Sequence, residues 1–270
     1  MIVAGLILAV AIQTATPGSP QTPSPQPSDD IVVTDLRDIN DPKSPVTHQT
    51  LGSSRTGLGA MRSRQMFELA ERFARCAVRR NGRGMAELRG ALDDTTYSAR
   101  QLFNQKRFVQ LNATCAQDAG LAQVEGIAAV LNGFPPYYYD RGAIVLQSLR
   151  VFAPELRLTK KETADPAVQS RFNLREVPRA RFRLPADRTY FETAVCLVRL
   201  QPELSVRLAQ TSDYEDIPRL EAAIVNGARV CTSNARKVYF DPIQFRFYIA
   251  DAVYRWALAA EGKDSFIPQP

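Results

Sequence analysis

The sequence holds one histidine, one tryptophan and four cysteines in 270 residues, and no lysine or arginine before Arg37. Each scarcity removes a class of chemistry. With one histidine, a metal site built on two histidines of the same chain is excluded. A histidine-based triad would have to use His48, which lies in a segment rich in Pro, Ser and Thr. No phosphate-cradling glycine loop and no metal-ligand spacing occurs, so no catalytic centre, metal or cofactor is expected. After Ile12 no apolar run approaches the length of a membrane span. What is abundant points to a folded protein: 45% of residues are hydrophobic, which is too much for wholesale disorder and enough for one large or two small globular domains.

Charge and proline divide the chain. Between Thr16 and Ala60, five Asp oppose Arg37, Lys43 and Arg55, whereas the rest of the chain carries the positive surplus behind the overall +6. Seven of the 18 Pro fall between Pro17 and Pro45, the composition of an extended linker that collapses poorly. Ahead of it, Ile2 to Ile12 is an apolar run ending in Gln13, Thr14 and Ala15, short for a span but suited to the core of a secretory signal. The reading is a signal peptide over 1–15, a Pro-rich flexible linker over 16–60, and a folded part from Met61 that works in the periplasm or as a secreted protein.

Export gives the cysteines a meaning, because an oxidising compartment favours disulfides. Cys76 opens Cys-Ala-Val-Arg and Cys196 opens Cys-Leu-Val-Arg, and each is followed by another cysteine, Cys115 and Cys231. Further on, Tyr138-Tyr139-Asp140 and Tyr239-Phe240-Asp241 each lead into an apolar stretch. The same order in both halves suggests an internal repeat with bridges Cys76–Cys115 and Cys196–Cys231. Crossed pairing, Cys76 with Cys196 and Cys115 with Cys231, stays open if equivalent helices pack face to face.

The periodicity is helical. Asp241-Pro242 reads as an N-cap followed by Pro at the first helical position, and Ile243, Phe247, Ala250, Tyr254 and Ala257 then fall on one face. Asp140 takes the cap position in the first half, and Ala143 to Phe152 has so few polar residues that its helix should be buried nearly all round. Met66, Leu69, Phe73 and Cys76 form one stripe, and Phe191, Ala194, Val195 and Val198 surround Cys196. Leu102 to Cys115 and Leu220 to Cys231 are amphipathic, and Leu121 to Leu131 predicts an extra helix.

Two resemblances attach to particular residues. Arg141-Gly142-Ala143-Ile144 and Ala250-Asp251-Ala252-Val253-Tyr254-Arg255 resemble stretches in a group of uncharacterised exported helical proteins of alphaproteobacteria, although Phe245-Arg246-Phe247 departs from that pattern. The resemblance implies an exported, helical, disulfide-bearing protein and no activity. Asp29-Asp30-Ile31-Val32-Val33-Thr34 is similar to the TonB box of outer-membrane receptors. There the β-prone run Ile31, Val32, Val33 and Thr34 would add as a strand to the sheet edge of an envelope protein.

Three surface features complete the candidate sites. In the Arg-rich connector 161–188, Arg179-Ala180-Arg181-Phe182-Arg183-Leu184 alternates with period two. A short strand there would place Arg179, Arg181 and Arg183 on one side, facing an anionic envelope component. No DNA- or RNA-binding signature accompanies it, and nucleic acid is not the expected target outside the cytoplasm. Tyr137, Tyr138 and Tyr139 in FPPYYY offer an aromatic partner-binding surface. Asp93-Asp94 and Glu68/Glu71 supply the carboxylates that a hydrolase acting on envelope glycan would need.

The expected architecture is mainly α, with two related disulfide-stapled helical units over 61–160 and 189–270, packed as one or two subdomains behind a disordered N-terminal tail. The expected function is that of a non-enzymatic envelope protein, a binding or structural module, with the carboxylate-dependent hydrolase as the alternative.

Overall fold

The structure, a computed structural model, describes residues 57–118, 137–183, 185–234 and 242–269, and every regular element among them is a helix. The first half comprises α1 (Gly57–Ala77), α2 (Met85–Asp93), α3 (Ala99–Leu111), α4 (Ala113–Asp118) and α5 (Tyr137–Phe152). The second comprises α6 (Lys160–Ala164), α7 (Pro166–Ala180), α8 (Pro185–Leu200), α9 (Pro202–Gln210), α10 (Ile217–Gly227), a 3₁₀ turn at Arg229–Thr232, and α11 (Pro242–Glu261).

Local chemistry starts many of these helices. Ser98 caps α3 by accepting from the Gln101 N–H at 3.1 Å. Thr159 and Glu162 form a reciprocal capping box on α6. Asp165 caps α7, accepting from the Ala167 N–H at 2.7 Å, and Pro166 follows at the first helical position. Burial then orients each helix: α7 turns Val168, Phe172 and Glu176 inward at i, i+4 and i+8.

The centre of the molecule is α11. It packs against α8, α9, α5 and α7, and nearly its whole circumference is buried, including Gln244, Arg246, Asp251 and Arg255. The sequence pattern predicts a single apolar face here. The structure instead wraps the helix on all sides, which is tolerable because Arg246, Asp251 and Arg255 are each hydrogen-bonded. Ala143 to Leu149 of α5 is likewise almost fully enclosed. Where α5 meets α11, the Phe247 ring lies so close to Gly142 that a Cβ would stand 2.3 Å from it, so only glycine permits the approach. Trp256 of α11 stacks on Phe172 of α7, with ring centroids 4.2 Å apart.

One disulfide joins Cys76 of α1 to Cys115 of α4, and the other joins Cys196 of α8 to Cys231 of the 3₁₀ turn. Each bridge stays within its own half, yet the halves share one hydrophobic cluster that runs from Phe73 and Phe108 to Leu197 and Ile224.

Two local expectations need correction. Residues 179–183 form no strand: α7 runs to Ala180 and a turn follows. Its capped start and buried stripe commit the segment to a helix that a three-residue alternation cannot reverse. Asp140 is not an N-cap, because α5 begins at Tyr137 and Asp140 falls in its first turn. Helix α1 starts at Gly57, inside the stretch assigned to the linker. The segments 1–15, Ile31 to Thr34, His48, Leu121 to Leu131, Phe134 to Pro136 and Asp241 lie outside the described residues.

Candidate functional site

A groove of about 550 Å³ opens between α2, α7 and the C-terminal end of α11. That is the size range of small-molecule sites. Arg89, Arg171, Arg175, Arg179 and Lys263 line it against only Asp93 and Asp264, and Leu174, Leu258 and Ala259 supply apolar wall. Leu174 is 77% exposed and Val177, one turn on, is 68% exposed, so an uncovered apolar strip runs beside the arginines.

Several of these arginines also hold the fold. The last carbonyls of a helix lack partners within it and carry its negative pole, which makes them natural acceptors for arginine. Arg171 donates from Nε to the Ala259 carbonyl at 2.7 Å, and Arg175 donates to the Lys263 and Asp264 carbonyls at 3.2 and 3.1 Å, closing the end of α11. The fully buried Arg255 does the same for α2, donating to the carbonyls of Leu92, Asp93 and Asp94. Arg150 and Arg246 both donate to the Thr211 carbonyl at the end of α9, Arg80 to Val151 at the end of α5, and Arg188 to Ala180 at the end of α7. Much of the positive surplus is therefore structural.

A buried ionic centre is built around Asp251 of α11. Asp251 accepts from Arg141 Nη2 at 3.1 Å, Arg183 Nη2 at 2.9 Å and Arg255 Nε at 3.3 Å. Arg183 also donates to Asp187 at 3.0 Å, the Tyr248 hydroxyl donates to the other Asp187 oxygen at 2.8 Å, and the Arg183 guanidinium sits 3.6 Å from the centre of the Phe191 ring. Burial by itself would raise the Asp251 carboxyl, but Arg141, Arg255 and Arg183 together hold it far below the usual carboxylate range. Beside this centre is a small cavity of about 20 Å³, lined by Thr96, Tyr97, Gln101, Arg141 and Asp187 among others. Tyr97 has a left-handed backbone, φ 68°, uncommon for a bulky residue.

A second buried centre joins Glu71 to Arg150 at 3.0 Å and to the Tyr214 hydroxyl at 2.7 Å. Burial raises the Glu71 carboxyl and the Tyr214 and Arg150 contacts outweigh it, so the net direction is down. Burial, with Arg150 adjacent, pushes Arg246 down to about 10, which leaves it charged at neutral pH.

No protein family, curated protein or solved structure matches this chain.

The residues singled out in the sequence are dispersed. Arg179 lines the groove and pairs with Glu176 at 3.1 Å. Arg181 is exposed, 4.6 Å from the centre of the Phe182 ring, and Arg183 is buried against Asp187 and Asp251. They do not share a face, so the proposed row of three is corrected to one groove residue, one surface residue and one core residue. Tyr137, Tyr138 and Tyr139 form the first turn of α5, directly ahead of Arg141. Asp93 accepts from the Tyr254 hydroxyl at 2.8 Å, and Asp94 pairs with Arg100 at 3.3 Å. Among the described residues no cluster of His, Cys, Asp and Glu is arranged to hold a metal. Sequence reasoning missed Asp251 and Arg255, although two opposite charges four residues apart inside an apolar helix were the available signal. Thr96 and Tyr97 carried none.

Proposed function

We propose that this chain is an exported, non-enzymatic binding module of the envelope, and that its ligand is an anionic envelope component seated in the groove between α2, α7 and the end of α11. The observation that carries this reading is the composition of the groove: five cationic side chains against two acidic ones, beside the exposed Leu174. A ligand with a phosphate or carboxylate head and an apolar portion complements both features. Export is supported by the two disulfides, which persist in oxidising compartments. No described helix is long and apolar enough to cross a membrane.

The hydrolase alternative draws no support from Glu71, one of the carboxylates singled out in the sequence, or from Asp251. A glycoside hydrolase needs one carboxyl raised so that it stays protonated. Glu71 and Asp251 are both held down, each committed to arginine.

Co-flotation with vesicles of phosphatidylglycerol or phosphatidylcholine, alongside titration with a soluble anionic glycan, tests the reading. The expected outcome is binding to an anionic ligand that weakens with salt. The double variant Arg179→Gln/Lys263→Gln should weaken it by about thirtyfold, at roughly 1 kcal/mol per removed cation. Equal binding to both vesicle types and no binding to the glycan would overturn it.

A further inference from the structure

We propose that the small cavity beside Asp251 is a binding site for one monovalent monoatomic anion, a halide, held by Arg141 Nε–H and the Thr96 hydroxyl. This inference is independent of the groove.

Three observations converge on it. The first is size: about 20 Å³ admits one particle of water-like dimensions and no polyatomic ligand. The second is the set of open groups. Arg141 Nε and Thr96 Oγ1 are buried without a hydrogen-bond partner, both residues line the cavity, and both are more than nine-tenths buried. Arg141 Nε can only donate, and a hydroxyl can do so as well, so the matching occupant is an acceptor. Both oxygens of Asp251 and both of Asp187 already accept from Arg141, Arg183, Arg255 or Tyr248. A halide accepts from both open donors at once and needs no acceptor in return.

The third observation is charge. Among the described residues, the ionic centre beside the cavity sets Arg141, Arg183 and Arg255 against Asp251 and Asp187, three cationic groups to two carboxylates, so one positive charge is left over. Widening the boundary does not remove it. Arg255 reaches Glu176 at 3.8 Å, but Glu176 is already shared by Arg175 and Arg179. A bound anion would offset this surplus among side chains that are almost fully buried. It would also tie Thr96, in the loop between α2 and α3, to Arg141 of α5.

The test is thermal melting of the disulfide-intact protein in sodium chloride and in sodium gluconate at equal ionic strength, gluconate being too large for the cavity. The expected result is a melting temperature that rises with chloride alone, by roughly 5–10 °C at a hundredfold excess over Kd. Thr96→Val should abolish the difference between the salts and Thr96→Ser should keep it. A crystal soaked in bromide should show an anomalous peak within hydrogen-bonding distance of Arg141 Nε, and this readout needs no variant to fold. Identical melting of the unmodified protein in the two salts overturns the proposal, as does a bromide-soaked crystal with no peak in the cavity.

Discussion

Asp251 draws three arginines, from α5, from α11 itself and from the turn after α7, onto one carboxylate, and they offset the cost of desolvating it. Asp251→Asn keeps the shape and removes the charge, leaving Arg141, Arg183 and Arg255 buried without their common partner. We expect a loss of about 3–5 kcal/mol in urea denaturation. The pH dependence follows from the same contacts. Glu71 and Asp251 both have folded values below their unfolded ones, so the stability they confer is complete above the ordinary carboxylate range. It is lost as pH falls below about 4 toward the folded values. Melting temperatures measured from pH 7 to pH 3 should drop steeply at the acid end, and the Asp251→Asn variant, starting lower, should drop less. A variant with an unchanged acid limb would count against Asp251 as the principal contributor.

At the scale of the helices, the recurring device is a defined start and an arginine at the finish. Helix α7 shows both, with Asp165 at its N-cap and Arg188 on the Ala180 carbonyl at its end. Its position matters because it presents Arg171, Arg175 and Arg179 to the groove while stacking Phe172 on Trp256. Asp165→Ala should cost about 1 kcal/mol, read as a fall of roughly 2–4 °C in melting temperature, because one N–H of the first turn loses its acceptor. No change would mean that solvent replaces the cap without loss. The Asp165-Pro166 signature is the same as Asp241-Pro242, so this helix start was legible in the sequence.

Across the whole molecule, the two disulfides close loops of 39 and 35 residues around a single core. On loop-entropy grounds each is worth about 4 kcal/mol, a large share of the stability of an ordinary domain. Full reduction should therefore lower the melting temperature markedly. Because α5 of the first half packs against α11 of the second in one core, the loss should appear as one transition, with both halves melting together. Calorimetry with and without reductant checks this, and an unchanged melting temperature after verified reduction would refute it. The groove and the cavity belong to this scale as well, since each is lined by residues from both halves.

The sequence by itself determined the helical class, the proline that starts α11, the enclosure of α5 and the stripes that turn Phe73 and Phe191 inward. All of these depend on residues within a few turns of one another. Periodicity and capping act over that range, and the chain states them directly. Only the tertiary structure decided what became of the charges. Arg183 and Asp251 stand 68 residues apart and Arg255 and Leu92 stand 163 apart, yet each pair shares a hydrogen bond. Nothing local marks an arginine as a helix cap for a distant segment, because the carbonyls it satisfies belong to helix ends that reach it only when the core closes. For the same reason the row of Arg179, Arg181 and Arg183 looked like one surface and folded into three environments. Pairing within a dry interior depends on which side chains meet, and that is a property of the packing of α5, α7, α8 and α11 around one another.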